Sequence, residues 1–499
     1  MPHVITPECC SDASCVQVCP VNAIHPAPNE PDFGMTEMLY IDPQTCIDCG
    51  ACVDACPIGV IFDGAQLGGA QKKFAEVNAN YFERERPLLP LYVLPPARTP
   101  EPARLRVAIV GAGPSGHFVA EELLRRADVT IDIFDRDEVP FGLARTGVAA
   151  DHVRTRMMQR EFDRIGRDPR VSYKLGVNVG IDIPMNALRE EYDAVFLAHG
   201  ASQSRRLPVD GADAVNVVGA VDFAQWYNGA GIAPFEEGLR PRKLVVVGGG
   251  NVALDIARMV LLDEPELAAS DAPAAVVDTI AAWGLREVDV LIRGGIGDAA
   301  FTVGQFVALE GLHGVAIDIA NDDVDRAVRD GVAHDPSSDY GQKVAAAAGY
   351  SRAPRATGDK VLRFRFHTGT QAVLSDTEGR VRGLRVSSDS AGEADLDADL
   401  VVVALGSRPE VIDGAPTIGD QGIVCHTEGR VTDSVQGSPL RGLYVVGWAG
   451  GGARGGIGSH RTGADRCVSA FIEDFIPETV GATTPASTST TRGEHHVAG

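Results

Sequence analysis

A chain of 499 residues is too long for a single hydrophobic core and predicts about three or four domains. Hydrophobic residues make up 44%, and no apolar run reaches the roughly 18 residues of a membrane helix, which argues against a spanning segment. Lys and Arg number 45 against 68 Asp and Glu, giving a formal charge of −23 that disfavours nucleic acid as a partner. The opening MPHVITPECC has neither a basic leader nor an apolar h-region, so the expectation is an unsecreted protein in a reducing cytoplasm. Residues 1–71 hold nine acidic residues and no Lys or Arg. Such a surface suits a basic protein partner, although acidic surfaces also serve solubility alone.

Eight of the ten cysteines fall within the first 57 residues, most of them in two runs. One is Cys9-x2-Asp12-x2-Cys15-x3-Cys19-Pro20 and the other Cys46-x2-Cys49-x2-Cys52-x3-Cys56-Pro57. In such runs three ligands wrap one iron-sulfur cluster, while the cysteine before proline reaches across to the other cluster. Zinc sites usually take two ligand pairs a dozen or more residues apart, which the second run does not offer. The spacing therefore assigns a 4Fe-4S cluster to Cys19, Cys46, Cys49 and Cys52. The first site has Cys9, Cys15 and the crossing Cys56, with Asp12 at its fourth corner. An oxygen ligand is harder than thiolate and holds iron less firmly, so a 3Fe-4S or labile 4Fe-4S cluster is expected there. Cys10, out of register, is a spare thiol, a substitute ligand or a small buried hydrophobe.

Residues 3–62 resemble the two-cluster bacterial ferredoxins, including variants with aspartate at the second ligand position; VIT before Cys9 and the segments CPVNAI and CPIGVI carry the likeness. The resemblance implies a small α+β fold with pseudo-twofold symmetry and one-electron transfer. Domain one is expected to end at Gln71. Residues 64–103 run from Gly-rich GAQLGG through a short helix to PLLPLYVLPPARTPEP, and 72–103 is expected to be the linker, a semi-extended tether.

From Leu105 strands and helices alternate. Gly111-x-Gly113-Pro114-Ser115-Gly116 follows the apolar strand LRVAIV and opens a helix, and Asp135 ends the next strand. The glycines allow a tight turn and close approach of a pyrophosphate to the helix N-terminus, and the acid can accept from ribose hydroxyls. A second unit restarts at Lys243 with Gly248-Gly249-Gly250-Asn251-Val252. Its next strand, VDVLIR, ends in Arg293 rather than an acid, which favours NADPH through a 2′-phosphate contact. The polar tail, 479–499, is expected to be disordered.

Five segments in order (VPFGLARTGVAADH, VDFAQWYNG, GGGNVALDIAR, AAFT and VVGWAGGGARGGIG) resemble the adrenodoxin-reductase type of ferredoxin–NADP reductase over about 105–475. The resemblance implies a multidomain chain. An α+β ferredoxin fold precedes two α/β Rossmann-like domains of glutathione-reductase type, with FAD bound by 104–202 and 399–478 and NADP by 203–398. It implies Trp448 near the flavin ring, Gly455 and Ile457 as backbone donors to its pyrimidine side, and Leu143 and Val179 in contact with FAD. Asn251, Val252 and Gly455 are implied to meet NADP, and His152 to be the active-site histidine. Two departures stand out. Gly294 replaces the second of two arginines, and Gln305 and Ala308 replace acids, so the usual partner of the histidine is missing and Glu310 is the substitute considered.

The expected activity is NADPH-dependent ferredoxin reduction. A hydride passes from NADPH to FAD, and single electrons pass through the clusters to an external acceptor such as a free ferredoxin or a haem monooxygenase. The alternative is an electron-input subunit of a larger flavin and iron-sulfur complex, as in glutamate synthase. Thiol chemistry of the thioredoxin-reductase kind fails, because Cys425 and Cys467, the cysteines outside the first domain, form no CxxC pair.

Overall fold

The computed structural model describes residues 2–36, 38–83, 92, 105–331, 335–353, 360–389 and 392–476. The expected tail and most of the linker lie outside the described residues. The N-terminal unit has two antiparallel strand pairs, His3–Ile5 with Ile61–Asp63 and Ile24–His25 with Tyr40–Ile41. Two short helices, Ser14–Val18 and Ala51–Ala55, each follow a left-handed residue, Ala13 at φ 63° and Gly50 at φ 77°. Each ends on a cysteine with nearly the same backbone, Cys19 at φ −73°, ψ 113° and Cys56 at φ −75°, ψ 113°. The proline after each cysteine forces this extended exit, and the repeated geometry gives the unit its twofold likeness.

The short helix expected in segment 72–103 is present and is docked. Lys73–Phe82 is a helix whose buried face, Phe74, Val77, Asn78 and Tyr81, closes the ferredoxin unit. Asn78 accepts from the backbone N–H of Ile5 (3.2 Å) and Ile41 (3.0 Å) and donates to the Ile5 carbonyl at 2.9 Å, tying the helix to both strand pairs. Tyr81 stacks on Tyr40 with ring centroids 4.2 Å apart. Phe74 and Val77 of this face also share an apolar patch with Val303 and Val307 of the second nucleotide unit.

The first nucleotide unit is built on a seven-stranded sheet in which Pro439–Val445, Ala194–Leu197, Leu105–Val110, Val129–Asp135 and Val171–Leu175 run parallel in that spatial order. The second has six parallel strands, in order Val217–Gly219, Leu400–Val403, Lys243–Val247, Glu287–Leu291, Lys360–Arg365 and Val315–Ile319. Leu400–Val403 was expected on the FAD side of a boundary at 399, but it pairs inside this second sheet. The crossing between units falls at the short antiparallel pair Gln203–Ser204 with Ser407–Arg408. A buried parallel strand reads as one apolar run whichever sheet takes it, so LVVV did not reveal its partner.

Candidate functional site

The crossing pattern of the cysteines is visible in space. Cys19, Cys46, Cys49 and Cys52 line one small cavity together with Ile24, Ile41 and Gly50. Burial pushes the Cys52 thiol up to about 11, and the neighbouring Cys46, Cys19 and Cys49 raise it further. The other four groups also cluster. Burial raises the Cys9 thiol to about 12, with the charges of Cys56 and Asp12 adding to it. Cys15 is likewise raised by burial and then by Asp12, Cys9 and Cys56. No three His, Cys, Asp or Glu among the described residues close on a single ion. In an iron-sulfur cluster each thiolate meets a different iron at a separate corner. The donor set fits iron-sulfur cargo, and thiols held protonated by burial must release protons as metal binds.

Asp12 is 7% exposed, and its carboxyl is raised by burial and lowered by hydrogen bonds from Ser14. Its Oδ2 accepts from Ser14 Oγ, and Cys10 Sγ lies 3.8 Å from its Oδ1. Cys10 is itself buried, 4% exposed, in the apolar core of the first nucleotide unit.

Both glycine turns are shaped by close backbone. A methyl on Gly111, at φ 115°, would stand 2.4 Å from the Ala198 carbonyl oxygen, and one on Gly116 2.1 Å from that of Gly111. Gly248, at φ 139°, is held the same way against the Ala404 carbonyl at 2.2 Å. Gly113 and Gly250, by contrast, have nothing within 4 Å of a would-be Cβ. The open space lies at the N-termini of the helices Pro114–Arg126 and Asn251–Leu261, where unpaired N–H groups and the helix dipole favour a phosphate. The residues present therefore fit two dinucleotides. Ser115 lies against Gly447, whose added methyl would meet its Oγ at 2.1 Å.

Asp135 accepts from the N–H of Ala112 (2.7 Å) and Asp137 (2.9 Å); burial raises its carboxyl despite those bonds. Leu143 opens the helix Leu143–Thr146 beside Gly142, which faces Gly113. Val179 is 4% exposed within a core cluster and forms a bridge with Ile183. Trp448 Nε1 donates to the Arg454 carbonyl at 2.7 Å, and its ring meets His460 edge-on at 5.7 Å. Gly455 is left-handed at φ 76°. In the second unit Asn251 Oδ1 accepts from the Thr302 N–H at 2.9 Å, fixing the AAFT turn, while Val252 is 47% exposed and Arg293 is exposed.

His152 precedes the helix Val153–Arg156 without capping it by its side chain. Its Nε2 instead accepts from Arg258 Nη2 at 2.8 Å, which places the proton on Nδ1. Arg258, 7% exposed, also donates to Asp151 at 2.5 and 3.0 Å, to Asp255 at 2.8 Å and to Gln305 at 3.3 Å. Asp255 Oδ1 is 3.9 Å from His152 Nε2. The acidic neighbour considered for the histidine, Glu310, is not there: it pairs with Lys73 of the ferredoxin-unit helix. The acids of this site come from Asp151 and from the helix Asn251–Leu261.

Three family models match the sequence. Pyridine nucleotide-disulphide oxidoreductase covers 105–262, and two models described as 4Fe-4S dicluster domain cover 8–60 and 38–85. The chain is 36% identical over 488 residues to a Mycobacterium tuberculosis protein named "Probable ferredoxin/ferredoxin--NADP reductase". The match takes in 95% of this chain and 84% of the relative. The chain belongs to the ferredoxin/ferredoxin–NADP reductase family. Within the family's wider range, "NADPH-ferredoxin reductase FprA" of M. tuberculosis is 34% identical, with 74% of this chain and 84% of that protein covered. The solved structure titled "Mycobacterium tuberculosis FprA in complex with NADPH" superposes with a TM-score of 0.67 at 31% identity, over 74% of this chain and 85% of that one. The architecture of the family is thus an iron-sulfur dicluster unit joined to a two-domain flavoprotein oxidoreductase fold. No described helix is long and apolar enough to cross a membrane.

Two residues of the site were not visible beforehand. Arg258 sits in the quoted motif GGGNVALDIAR, where its spacing of three from Asp255 was the available signal. His460, lowered to about 4 by burial, is neutral beside Trp448 and Gly447, and nothing in the local sequence marked it.

Proposed function

We propose that this chain is an NADPH-dependent ferredoxin reductase that carries its own ferredoxin. The single observation behind this reading is that a two-cluster unit and two glycine-turn nucleotide cradles pack into one body in a chain matched to the family over 95% of its length. Bound FAD would supply the conversion of a two-electron hydride into single electrons, and bound clusters would carry those electrons. The chain's own residues set the geometry. Gly111, Gly113, Pro114, Ser115, Gly116 and Asp135 would hold the FAD nucleotide, and Trp448, Gly455 and Ile457 would border its ring. Gly248, Gly250, Asn251 and Val252 would cradle NADP. Arg258 holds His152 in one tautomer near the place where the nicotinamide must meet the flavin. A ferredoxin-type acceptor is the natural partner, and a haem monooxygenase fed through it is an extension of this proposal.

Arg293 is proposed to read the 2′-phosphate alone, Gly294 offering no second guanidinium. Arg293→Ala is then expected to raise KM for NADPH by about tenfold, the effect of losing one charged contact, and to leave KM for NADH unchanged. Steady-state kinetics with both nucleotides checks this; equal changes would mean that Arg293 does not read the phosphate.

The two clusters are proposed to differ. Cys19, Cys46, Cys49 and Cys52 would hold 4Fe-4S, and Cys9, Asp12, Cys15 and Cys56 a 3Fe-4S or labile 4Fe-4S cluster. Air-exposed protein is expected to give the paramagnetic resonance of an oxidised three-iron cluster, and Asp12→Cys to remove it while raising iron content. Two intact four-iron clusters in the unmodified chain would contradict the assignment.

A further inference from the structure

The two cluster sites face different surroundings. The Asp12 site is walled by the FAD-binding unit: Cys10, Ile58 and Val60 share one apolar core with Ala112, Phe118 and Met158, and Cys9, Cys56 and Ile457 pack against it. The Gly458 N–H donates to the Cys10 carbonyl at 2.7 Å. The contact is tight, since a methyl on Gly458 would stand 2.0 Å from the Ser11 carbonyl oxygen. Thr155 Oγ1 donates to the Glu8 carbonyl at 2.7 Å, and Arg154 Nη1 donates to the carbonyl of Gly59, just past Cys56. Among the described residues the Cys49 site has no such wall. Every residue lining its cavity belongs to the ferredoxin unit, Cys49 is exposed and the adjoining Ile47 is 60% exposed.

We propose that electrons enter the ferredoxin unit at the Cys9, Asp12, Cys15 and Cys56 site and leave it from the Cys19, Cys46, Cys49 and Cys52 site. Residues 9–11 and 455–458 form the crossing. The inference rests on reading 447–458 as the flavin-bordering loop. Electron transfer falls off steeply with separation, so the site that shares backbone contacts with that loop fills first. The site open to solvent is the one an external protein can approach. Each passage moves one electron from the flavin side to the Asp12 site, then to the Cys49 site, then to the acceptor. One NADPH serves two passages, leaving NADP⁺, one proton released to solvent and two singly reduced acceptors.

The order is tested on the full, cluster-loaded chain by freeze-quench paramagnetic resonance after anaerobic mixing with NADPH. Cys49→Ala, checked for loss of one cluster by iron content, is expected to leave the remaining cluster reducible by NADPH at the unmodified rate. Transfer to cytochrome c is expected to fall at least about tenfold. A remaining cluster that dithionite reduces but NADPH does not would make Cys49 the entry and overturn the proposal. Arg154→Glu touches no cluster ligand and guards against a Cys49 variant that binds no iron. It is expected to slow cluster reduction about tenfold while NADPH bleaches the flavin and ferricyanide is reduced as before. Cluster reduction at the unmodified rate in this variant would also overturn the order. Failure of NADPH to bleach the flavin in the unmodified chain would instead strike the proposed function itself.

Discussion

Arg258→Leu is expected to destabilise the protein by about 3–5 kcal/mol at pH 7, because it strands buried carboxylates that now share one guanidinium. Asp151 and Asp255 have side chains 16% and 14% exposed, and Arg258 is the cation bonded to both. Burial by itself would raise the Asp151 carboxyl, but the charge and hydrogen bonds of Arg258 hold it below the usual carboxylate range. Its contribution to stability is therefore present above the ordinary carboxylate pKa of about 3.9 and lost as pH falls through the depressed value. In the leucine variant the sign reverses. With the cation gone, burial raises the same carboxyl, so the variant gains stability as it takes up protons on acidification. The difference in melting temperature between the two proteins is expected to be largest near neutral pH and to shrink towards pH 5. Thermal unfolding across that range checks it. A difference that stays constant or widens in acid would mean that the carboxylates are not stabilised by Arg258.

Gly248→Val is expected to separate NADPH use from flavin content. The position combines φ 139° with a Cβ that would stand 2.2 Å from the Ala404 carbonyl oxygen, so both the turn and the strand Leu400–Val403 before it must shift. A residue forced into such a conformation costs about 1–3 kcal/mol, and displacement of the turn moves the N–H groups proposed to hold the NADP pyrophosphate. Apparent affinity for NADPH should fall about 100-fold, with FAD retained because the Gly111 turn belongs to the other sheet. Flavin absorbance of the purified protein and the concentration of NADPH needed to bleach it give the two readings. Loss of FAD together with NADPH response would show that the two cradles are not independent.

What could be read from the sequence was local. The spacing of the two cysteine runs, the proline after each last cysteine and the strand, glycine turn and helix order are all set within about 30 residues, and each kept its expected form. What was missed depends on contacts between distant segments. His152 meets Arg258 across 106 positions, and Glu310 turns instead to Lys73, so the neighbour of the histidine could not be found by looking near the acids that Gln305 and Ala308 replace. The short helix expected in the linker is present, but its docking escaped for the same reason. The helix Lys73–Phe82 is amphipathic, but its sequence does not say that Asn78 will be clamped between Ile5 and Ile41. The ferredoxin unit is therefore docked rather than merely tethered. Val4, Phe74 and Val77 sit against Val303 and Val307, and Cys10 sits against Gly458. A fixed contact replaces the effective concentration that a flexible linker would have supplied.

One chain is proposed to take hydride from NADPH at its flavin and to deliver the electrons to its own clusters. The most direct test is anaerobic stopped-flow mixing of the cluster-loaded chain with NADPH, following flavin and cluster absorbance separately. The account predicts that the flavin band bleaches first and that the cluster band then falls at a rate independent of protein concentration, since the transfer is within one molecule. Flavin that bleaches while the clusters stay oxidised, or cluster reduction whose rate rises in proportion to protein concentration, would contradict it.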